Sequence, residues 1–404
     1  MQEDGTERMI LGVAGVGDNV LLTGATGLLG GQIARRILQG YPGTHLTLLV
    51  RSTPRETARE RVDRLLVRTL GETQANRVRD RVEVVDGNIA DPNLGMDASC
   101  ASDLAARIDQ VIHCAATIRF DLPLELARRD NVEGTRNVLD FAARMPRLGR
   151  LDYVGTAYIA GKRSGLVKED ELDVGQQFWN SYERTKMEAE KLVRAFAEHH
   201  PVAIYRPSII VGDSVTGQTT GFQGLYQVLP LYSRRLIFAI PADPETHVDL
   251  VPIDYVLETM FALMGTISSI GRTFHIVSGP GSTCTIDELV RMVADYTKIP
   301  PPPYVSLGAY QRYVKPLFRA FLWGRRRSAM ERGEQFLPYL SSKFAFDKKN
   351  TDACLDGLGI RVPHTAAYFQ KLLAFQGRTP GKGLAGSSVA PRASTAPARR
   401  VSTP

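Results

Sequence analysis

Tyr182 and Lys186 stand four residues apart in the run Tyr182-Glu-Arg-Thr-Lys186. On a helix that spacing puts both side chains on one face. A free phenol titrates near a pH of about 10 and is a slow acid–base group at neutrality. An ammonium one turn away favours the phenolate, so Lys186 is expected to lower the Tyr182 pKa by about 1–3 pH units. Upstream, the apolar run at 151–158 reads as a strand ending in hydroxyl residues, Thr156 among them. By itself a Tyr-x-x-x-Lys pair describes an exposed helix surface. Its position after a glycine-rich first strand and a strand ending near Thr156 fits a catalytic assembly. His113 also invites a catalytic reading, but it closes an apolar run and reads as a buried, hydrogen-bonded histidine.

The elements that must position these groups begin at residues 20–31. Val20, Leu21 and Leu22 read as a buried strand, and a helical pattern opens through Leu28, Leu29, Ile33 and Ile37. Strand, glycine turn and helix together form a dinucleotide site. Gly24 permits the tight turn, Gly27 lets backbone approach a pyrophosphate, and Gly30 lets helix and strand pack closely. The helix N-terminus turns free N–H groups toward phosphates. The spacing is Gly24-x-x-Gly27-x-x-Gly30 rather than the usual Gly-x-Gly-x-x-Gly.

A second buried strand at 45–50 ends in Arg51-Ser52, with no acid until Glu56. Folds of this kind place an acid there for NAD and an Arg near the 2′-phosphate for NADP. NADP(H) is therefore favoured over NAD(H), with Arg51 on the phosphate and Arg61, from the basic helix at 55–68, within reach of it. Residues 82–89 read as a third strand and a loop that flanks the adenine through Asn88 and Ile89. The fourth strand, 111–116, ends in Cys114, Ala115 and Ala116, small residues that let backbone pass close to a cofactor. A long helix at 124–144 carries Asn131. A sixth strand at 201–211 is broken by Pro207, and apolar runs at 248–255 and 273–277 follow. Strands alternating with helices give an α/β fold with a doubly wound parallel sheet.

The chain has 404 residues, with apolar content of 43% and charged content of 23%, which fits a globular protein with ample core. No apolar run approaches the roughly 20 residues that span a bilayer. Residues 1–18 form an N-terminal arm that does not read as a signal peptide. The four cysteines are far apart and lack metal-ligand spacing, so no metal is expected and a reduced, cytoplasmic setting is the simplest account. The net charge is +7, but residues 377–404 carry Arg378, Lys382, Arg392, Arg399 and Arg400 without an acid. The rest is nearly balanced, so no nucleic-acid partner is expected. Those tail residues read as a disordered basic tail.

Between arm and tail, residues 19–278 read as the nucleotide-binding domain, with 212–247 contributing to a substrate cleft. Residues 279–376 read as a smaller, mostly helical C-terminal substrate-binding part. It holds a helix at 285–296 with an N-cap Thr and acids in its first turn. Pro300–303 is stiff. An aromatic, basic segment follows at 310–327, read as a helix over the cleft, with a peripheral membrane contact as its second reading.

These residues carry a resemblance. Thr23-Gly-Ala-Thr-Gly-Leu-Leu-Gly30, Leu48-Leu-Val-Arg51, Val111-Ile-His-Cys-Ala-Ala-Thr-Ile-Arg-Phe120 and Asn131-Val-Glu-Gly-Thr135 run in series. Gly155-Thr-Ala-Tyr158, Tyr182-Glu-Arg-Thr-Lys186, Arg206-Pro-Ser-Ile209 and Val251-Pro-Ile-Asp-Tyr255 continue it. The chain resembles the extended short-chain dehydrogenases/reductases, and within them the fatty acyl-CoA reductases and thioester reductase domains. The resemblance implies a Rossmann-type fold and NADPH-dependent reduction of a fatty acyl thioester, on coenzyme A or an acyl carrier protein, to aldehyde or alcohol. It implies Thr156, Tyr182 and Lys186 as catalytic residues, with Lys186 also on the nicotinamide ribose. It implies a cofactor site of Gly24, Ala25, Thr26, Gly27, Leu28, Leu29, Gly30, Arg51, Arg61, Asn88, Ile89, Cys114, Ala115, Ala116, Asn131, Tyr182, Lys186, Pro207 and Ser208. Such reductases usually have Ser-Thr where this chain has Gly155-Thr156, so one hydroxyl is missing. Apolar residues at 222–240 and 304–321 suit an acyl chain or a core, and Arg234, Arg235 and Arg325–Arg327 suit a phosphate-bearing carrier or solvent. Two further readings share the motifs: a hydroxysteroid- or sugar-nucleotide-type dehydrogenase or epimerase, and a non-catalytic NADP-binding protein.

Overall fold

The computed structural model describes residues 15–222, 224–316 and 334–379. The outer part of the N-terminal arm, the tail from 380, and most of the 310–327 segment, including Arg325–Arg327, lie outside the described residues. Among the described residues no helix is long and apolar enough to cross a membrane.

The first strand, β1 (Asn19–Thr23), is fully buried but for its first residue. It leads through the glycine turn into α1 (Leu28–Gly40), whose Ile33, Ala34 and Ile37 face the sheet. Next come β2 (His45–Val50), α2 (Ala58–Leu70), β3 (Val82–Asp86), α3 (Ala98–Arg107) and β4 (Gln110–His113). A capping box starts α2: Thr57 accepts from the Glu60 backbone while Glu60 reaches back. The stretch read as one helix at 124–144 is Leu124–Arg128, a π turn at Arg129–Glu133, and α4 (Gly134–Ala142).

The fifth strand, β5 (Arg150–Val154), stops short of Thr156, which caps a short 3-10 turn at Ala157–Ala160. The apolar run continues past the strand, but the Thr156 hydroxyl accepts from the Tyr158 backbone N–H at 3.2 Å and ends the extended conformation. A short strand β6 (Ser164–Val167), helix α5 (Ser181–Ala197), and strands β7 (Val202–Pro207) and β8 (Ile209–Val211) follow. Pro207 marks the break between the last two, as its lost N–H requires. Helix α6 (Leu225–Ser233) precedes β9 (Leu250–Pro252). The run at 248–255 is only partly strand, because Pro252 N-caps α7 (Ile253–Met264). Strand β10 (Thr273–Ile276) completes the main sheet.

That sheet has seven strands in the order β10-β7-β5-β4-β1-β2-β3, all parallel. Helices α1, α2 and α7 bury their apolar sides in one core, and α3, α4 and α5 in the core on the other face. The doubly wound Rossmann-type sheet is thus present as read. Beyond it, α8 (Ile286–Thr297) begins with a capping box on Thr285 and Glu288. It packs with α6 and α10 (Thr365–Arg378) around Tyr226, Leu289, Phe369 and Leu372. The C-terminal stretch is less purely helical than its sequence pattern. It contains β11 (Lys343–Phe346), which pairs in parallel with β6, and α9 (Lys349–Leu355), whose Leu355 joins the nucleotide-side core.

A buried ion pair ties α5 to the sheet. Glu190 receives Arg206 Nη2 at 2.6 Å and Nε at 3.0 Å, and both side chains are 0% exposed. Removing one partner leaves a buried charge without its counterion, which costs about 3–5 kcal/mol. Glu190→Ala is therefore expected to lower the unfolding free energy by that amount, measured by urea denaturation.

Candidate active site

Strands β1, β4, β5 and β7 end along one rim of a cavity of about 1560 Å³. The sheet order reverses between β1 and β4, where open parallel sheets bind their ligands. Gly24, Thr26, Gly27, Leu28, Leu29, Gly30, Cys114, Ala116, Thr156, Tyr182, Lys186, Pro207 and Ser208 all line this cavity.

Gly24 has φ +79°, and a Cβ there would lie 2.6 Å from the Ala115 nitrogen. A Cβ on Gly30 would lie 2.2 Å from the Gly24 carbonyl oxygen. These two glycines make the close helix–strand approach, while Gly27 N-caps α1 with no side-chain cap and no acid in the first turn. Such an uncapped helix start suits an anionic group. These features fit the pyrophosphate of a dinucleotide. Ala25 is fully buried beneath the loop, and the Ala115 N–H donates to Thr23 Oγ1 at 3.2 Å.

Arg51 is exposed at the end of β2. Arg61 Nη2 donates to Thr26 Oγ1 at 3.2 Å, and its Nη1 donates to the Arg51 carbonyl. Both arginines therefore stand beside the glycine loop. Asn88 and Ile89 lie off the cavity: Asn88 bonds Asp91 at 2.9 Å, and the Ile89 carbonyl accepts from Asn137 at 2.8 Å. Asn131 is buried and also lies off it. Its amide accepts from Thr117 N at 2.8 Å and donates to Thr185 Oγ1 at 3.0 Å, bracing the 114–117 segment against α5.

His113 is a strut, as its apolar surroundings suggest. Nδ1 meets Thr23 Oγ1 at 2.7 Å, and Nε2 meets Thr135 Oγ1 at 3.1 Å. Burial, then the charge of Lys186, push its pKa down to about 3, so it stays neutral. Burial pushes the Cys114 thiol up to about 11.

The helix carrying Tyr182 starts at Asn180, whose Oδ1 accepts from Glu183 N at 3.0 Å. Lys186 Nζ donates to the Val154 carbonyl at 2.9 Å and sits 4.4 Å from the centre of the Tyr153 ring. Burial lowers its pKa to about 8. Burial raises Tyr182 to about 12, while a hydrogen bond with Thr156 pulls the other way. This corrects the expectation that Lys186 depresses the Tyr182 pKa. Desolvation outweighs the attraction, and the ammonium is engaged by the Val154 carbonyl. Ser208 donates to Asp249 Oδ1 at 2.5 Å, which engages its hydroxyl. The missing hydroxyl at Gly155 also has a place: a Cβ there would lie 3.3 Å from Glu190 Oε2, on the side of the buried ion pair.

A family model described as Male sterility protein matches residues 22–260. The chain belongs to that family. Fatty acyl-CoA reductase 2 of Homo sapiens is 25% identical over 322 residues, covering 70% of this chain and 62% of the human protein. The chain thus spans about three fifths of that relative's length. Fatty acyl-CoA reductase 1 of Arabidopsis thaliana is 26% identical over 342 residues, covering 69% of this chain and 70% of the plant protein. Among solved structures, the terminal R domain from the myxalamid PKS-NRPS biosynthetic pathway superposes with a TM-score of 0.74. It is 25% identical, covering 88% of this chain and 90% of that one.

One wall of the cavity was not legible in the family motifs. Phe120 stacks near Tyr182 with ring centres 5.6 Å apart, and near Phe336 at 5.4 Å. Tyr158 meets Tyr339 edge-on at 5.0 Å and Phe344 at 6.0 Å. The alternation Lys343-Phe-Ala-Phe346 is a strand signal, but nothing local says which element it pairs with. Glu183 was also missed. It is 0% exposed, accepts from Trp179 N at 2.9 Å and from the Tyr339 hydroxyl, and burial raises its pKa to about 7. Of the two arginines expected to face a carrier, Arg234 and Arg235, both are exposed beyond α6.

Glu183 binds a proton in the folded protein that the unfolded chain, titrating near 4.5, releases. Its protonated form therefore stabilises the fold most at low pH, and the advantage is lost as pH rises through about 7. Relative to Glu183→Gln, the wild type is expected to lose on the order of 2 kcal/mol between acidic and mildly alkaline pH. Thermal melts of both proteins across that range check it.

Proposed function

We propose that this chain reduces a fatty acyl thioester with NADPH, giving the aldehyde or alcohol. One observation carries the reading. Thr156, Tyr182 and Lys186 share a cavity with the glycine loop, and that cavity continues into an apolar branch lined by Leu229 and Tyr232 of α6 and Leu289 and Val293 of α8. The resemblance to fatty acyl-CoA reductases and to an R domain supports the same substrate class, with the thioester on coenzyme A or on a carrier protein.

The residues that would hold the cofactor are the glycine loop, the start of α1, and the backbone around Cys114 and Ala116. Arg51 and Arg61 would meet a 2′-phosphate beside Thr26, which supports NADPH over NADH. When bound, the nicotinamide supplies a hydride to the thioester carbonyl carbon, and the hemithioacetal then breaks into aldehyde and thiol. Thr156 holds the carbonyl oxygen where negative charge develops. Tyr182, raised to about 12, keeps its proton at neutral pH and can give it to that oxygen. Lys186, at about 8, remains largely an ammonium at neutrality and compensates the charge that Tyr182 takes on. The apolar branch holds the acyl chain and excludes water.

Purified protein is expected to consume NADPH with a long-chain acyl-CoA and to release free thiol in equal amount. Consumption with only a hydroxysteroid or sugar-nucleotide substrate would overturn the proposal. Tyr182→Phe is expected to lower turnover by about 10²–10⁴-fold. Arg51→Ala together with Arg61→Ala is expected to raise the NADPH KM by about tenfold or more and to leave the NADH KM nearly unchanged, as steady-state kinetics would show.

A further inference from the structure

The aromatic wall beside Tyr182 belongs to a segment far from it in sequence, residues 334–346. This segment is anchored at one end by β11, paired with β6. Near its middle, the Leu340 carbonyl accepts from Asp243 N at 3.3 Å. Neither tie reaches the reacting groups. Tyr339 does reach them, and its hydrogen bonds have a fixed sense. Asn180 Oδ1 accepts from Glu183 N, so its Nδ2 is the end that faces Tyr339, donating to the hydroxyl oxygen at 2.8 Å. The Tyr339 proton must then go to Glu183 Oε1. Burial raises the Tyr339 pKa far above the phenol range, so the hydroxyl remains a donor. One phenol thus joins the N-cap and first turn of α5, the turn that carries Tyr182. Its ring also lies 5.9 Å from that of Phe120, which in turn lies against Tyr182.

We propose that Tyr339 is a positioning residue for the reduction: its hydroxyl, clasped by Asn180 and Glu183, seats residues 334–346 on α5 and fixes Phe120 against Tyr182. The inference rests on the proposed function for its kinetic part and on the geometry alone for the clasp. Losing the clasp frees the wall while the ring contacts remain. Water then enters beside the carbonyl, and the Tyr182 phenol is no longer held by its aromatic neighbour.

The test combines hydrogen exchange and kinetics on the full chain. Tyr339→Phe keeps the ring and removes the hydroxyl. It is expected to speed amide exchange at 334–342 by about tenfold, the loss of one charge-assisted hydrogen bond, and to lower kcat with acyl-CoA by a similar factor. The KM for NADPH should not move. Glu183→Gln keeps an acceptor oxygen for Tyr339 and should hold exchange near wild type, whereas Glu183→Leu should match Tyr339→Phe. Unchanged exchange in both Tyr339→Phe and Glu183→Leu would overturn the clasp. Faster exchange with unchanged kcat would overturn the positioning role. A wild-type protein inert toward acyl thioesters would overturn the proposed function and the kinetic role together, while the exchange comparison would still decide the clasp.

Discussion

The buried pair of Glu190 and Arg206 sets where everything on α5 must be. Tyr182, Lys186 and Glu190 recur every fourth residue and form one stripe along the helix. With Glu190 locked by two bonds to a fully buried guanidinium, the helix can neither rotate nor slide without breaking the pair. Arg206 also donates to the carbonyls of Glu169 and Glu171, at 3.2 and 2.8 Å, and lies 3.2 Å from His275 Nε2. The same side chain therefore fixes the loop after β6 and the neighbouring strand β10. A buried pair of this kind contributes little net stability over an apolar substitute, but it tolerates only one arrangement. That is the property a proton donor and a cation one turn apart require.

Burial then sets the protonation states. It raises Tyr182 and Cys114 and lowers Lys186 and His113. Each shift favours the neutral form, because the cavity wall offers little solvent to stabilise charge. Charge that appears on a substrate oxygen in such a place meets few competitors for the Thr156 and Tyr182 hydroxyls. The same low polarity strengthens each of those contacts.

What could be read in the sequence was what short-range geometry dictates. Gly24 and Gly30 were legible because a positive φ and a near-contact with backbone exclude side chains there. Tyr182 and Lys186 were legible because helical periodicity places them together. Strand order followed from alternation of apolar runs with helices. The ends of elements were less legible. Thr156 stops an apolar run by a hydroxyl–backbone bond, and Pro252 turns one into a helix. The long-range contacts left no local trace. Tyr339 and Glu183 are 156 residues apart, and β6 meets β11 from the far side of the C-terminal part. The balance between Lys186 and desolvation at Tyr182 likewise depends on packing that no spacing rule contains.

The pairing of β6 with β11 has a consequence for how the chain can be divided. Residues 343–355 return to the nucleotide-binding side after the chain has built α8 on the substrate side. Glu169, buried in the nucleotide half, takes hydrogen bonds from Asn350 N and from Thr351 N and Oγ1. A cut near residue 278, where sequence patterning suggests a boundary, would leave that carboxylate short of donors and β6 without its partner strand. The two halves are interleaved rather than tandem, so a swap of substrate specificity between relatives cannot be made by joining one half to another at a single seam. It needs at least two junctions, one before α8 and one between the substrate-side elements and β11.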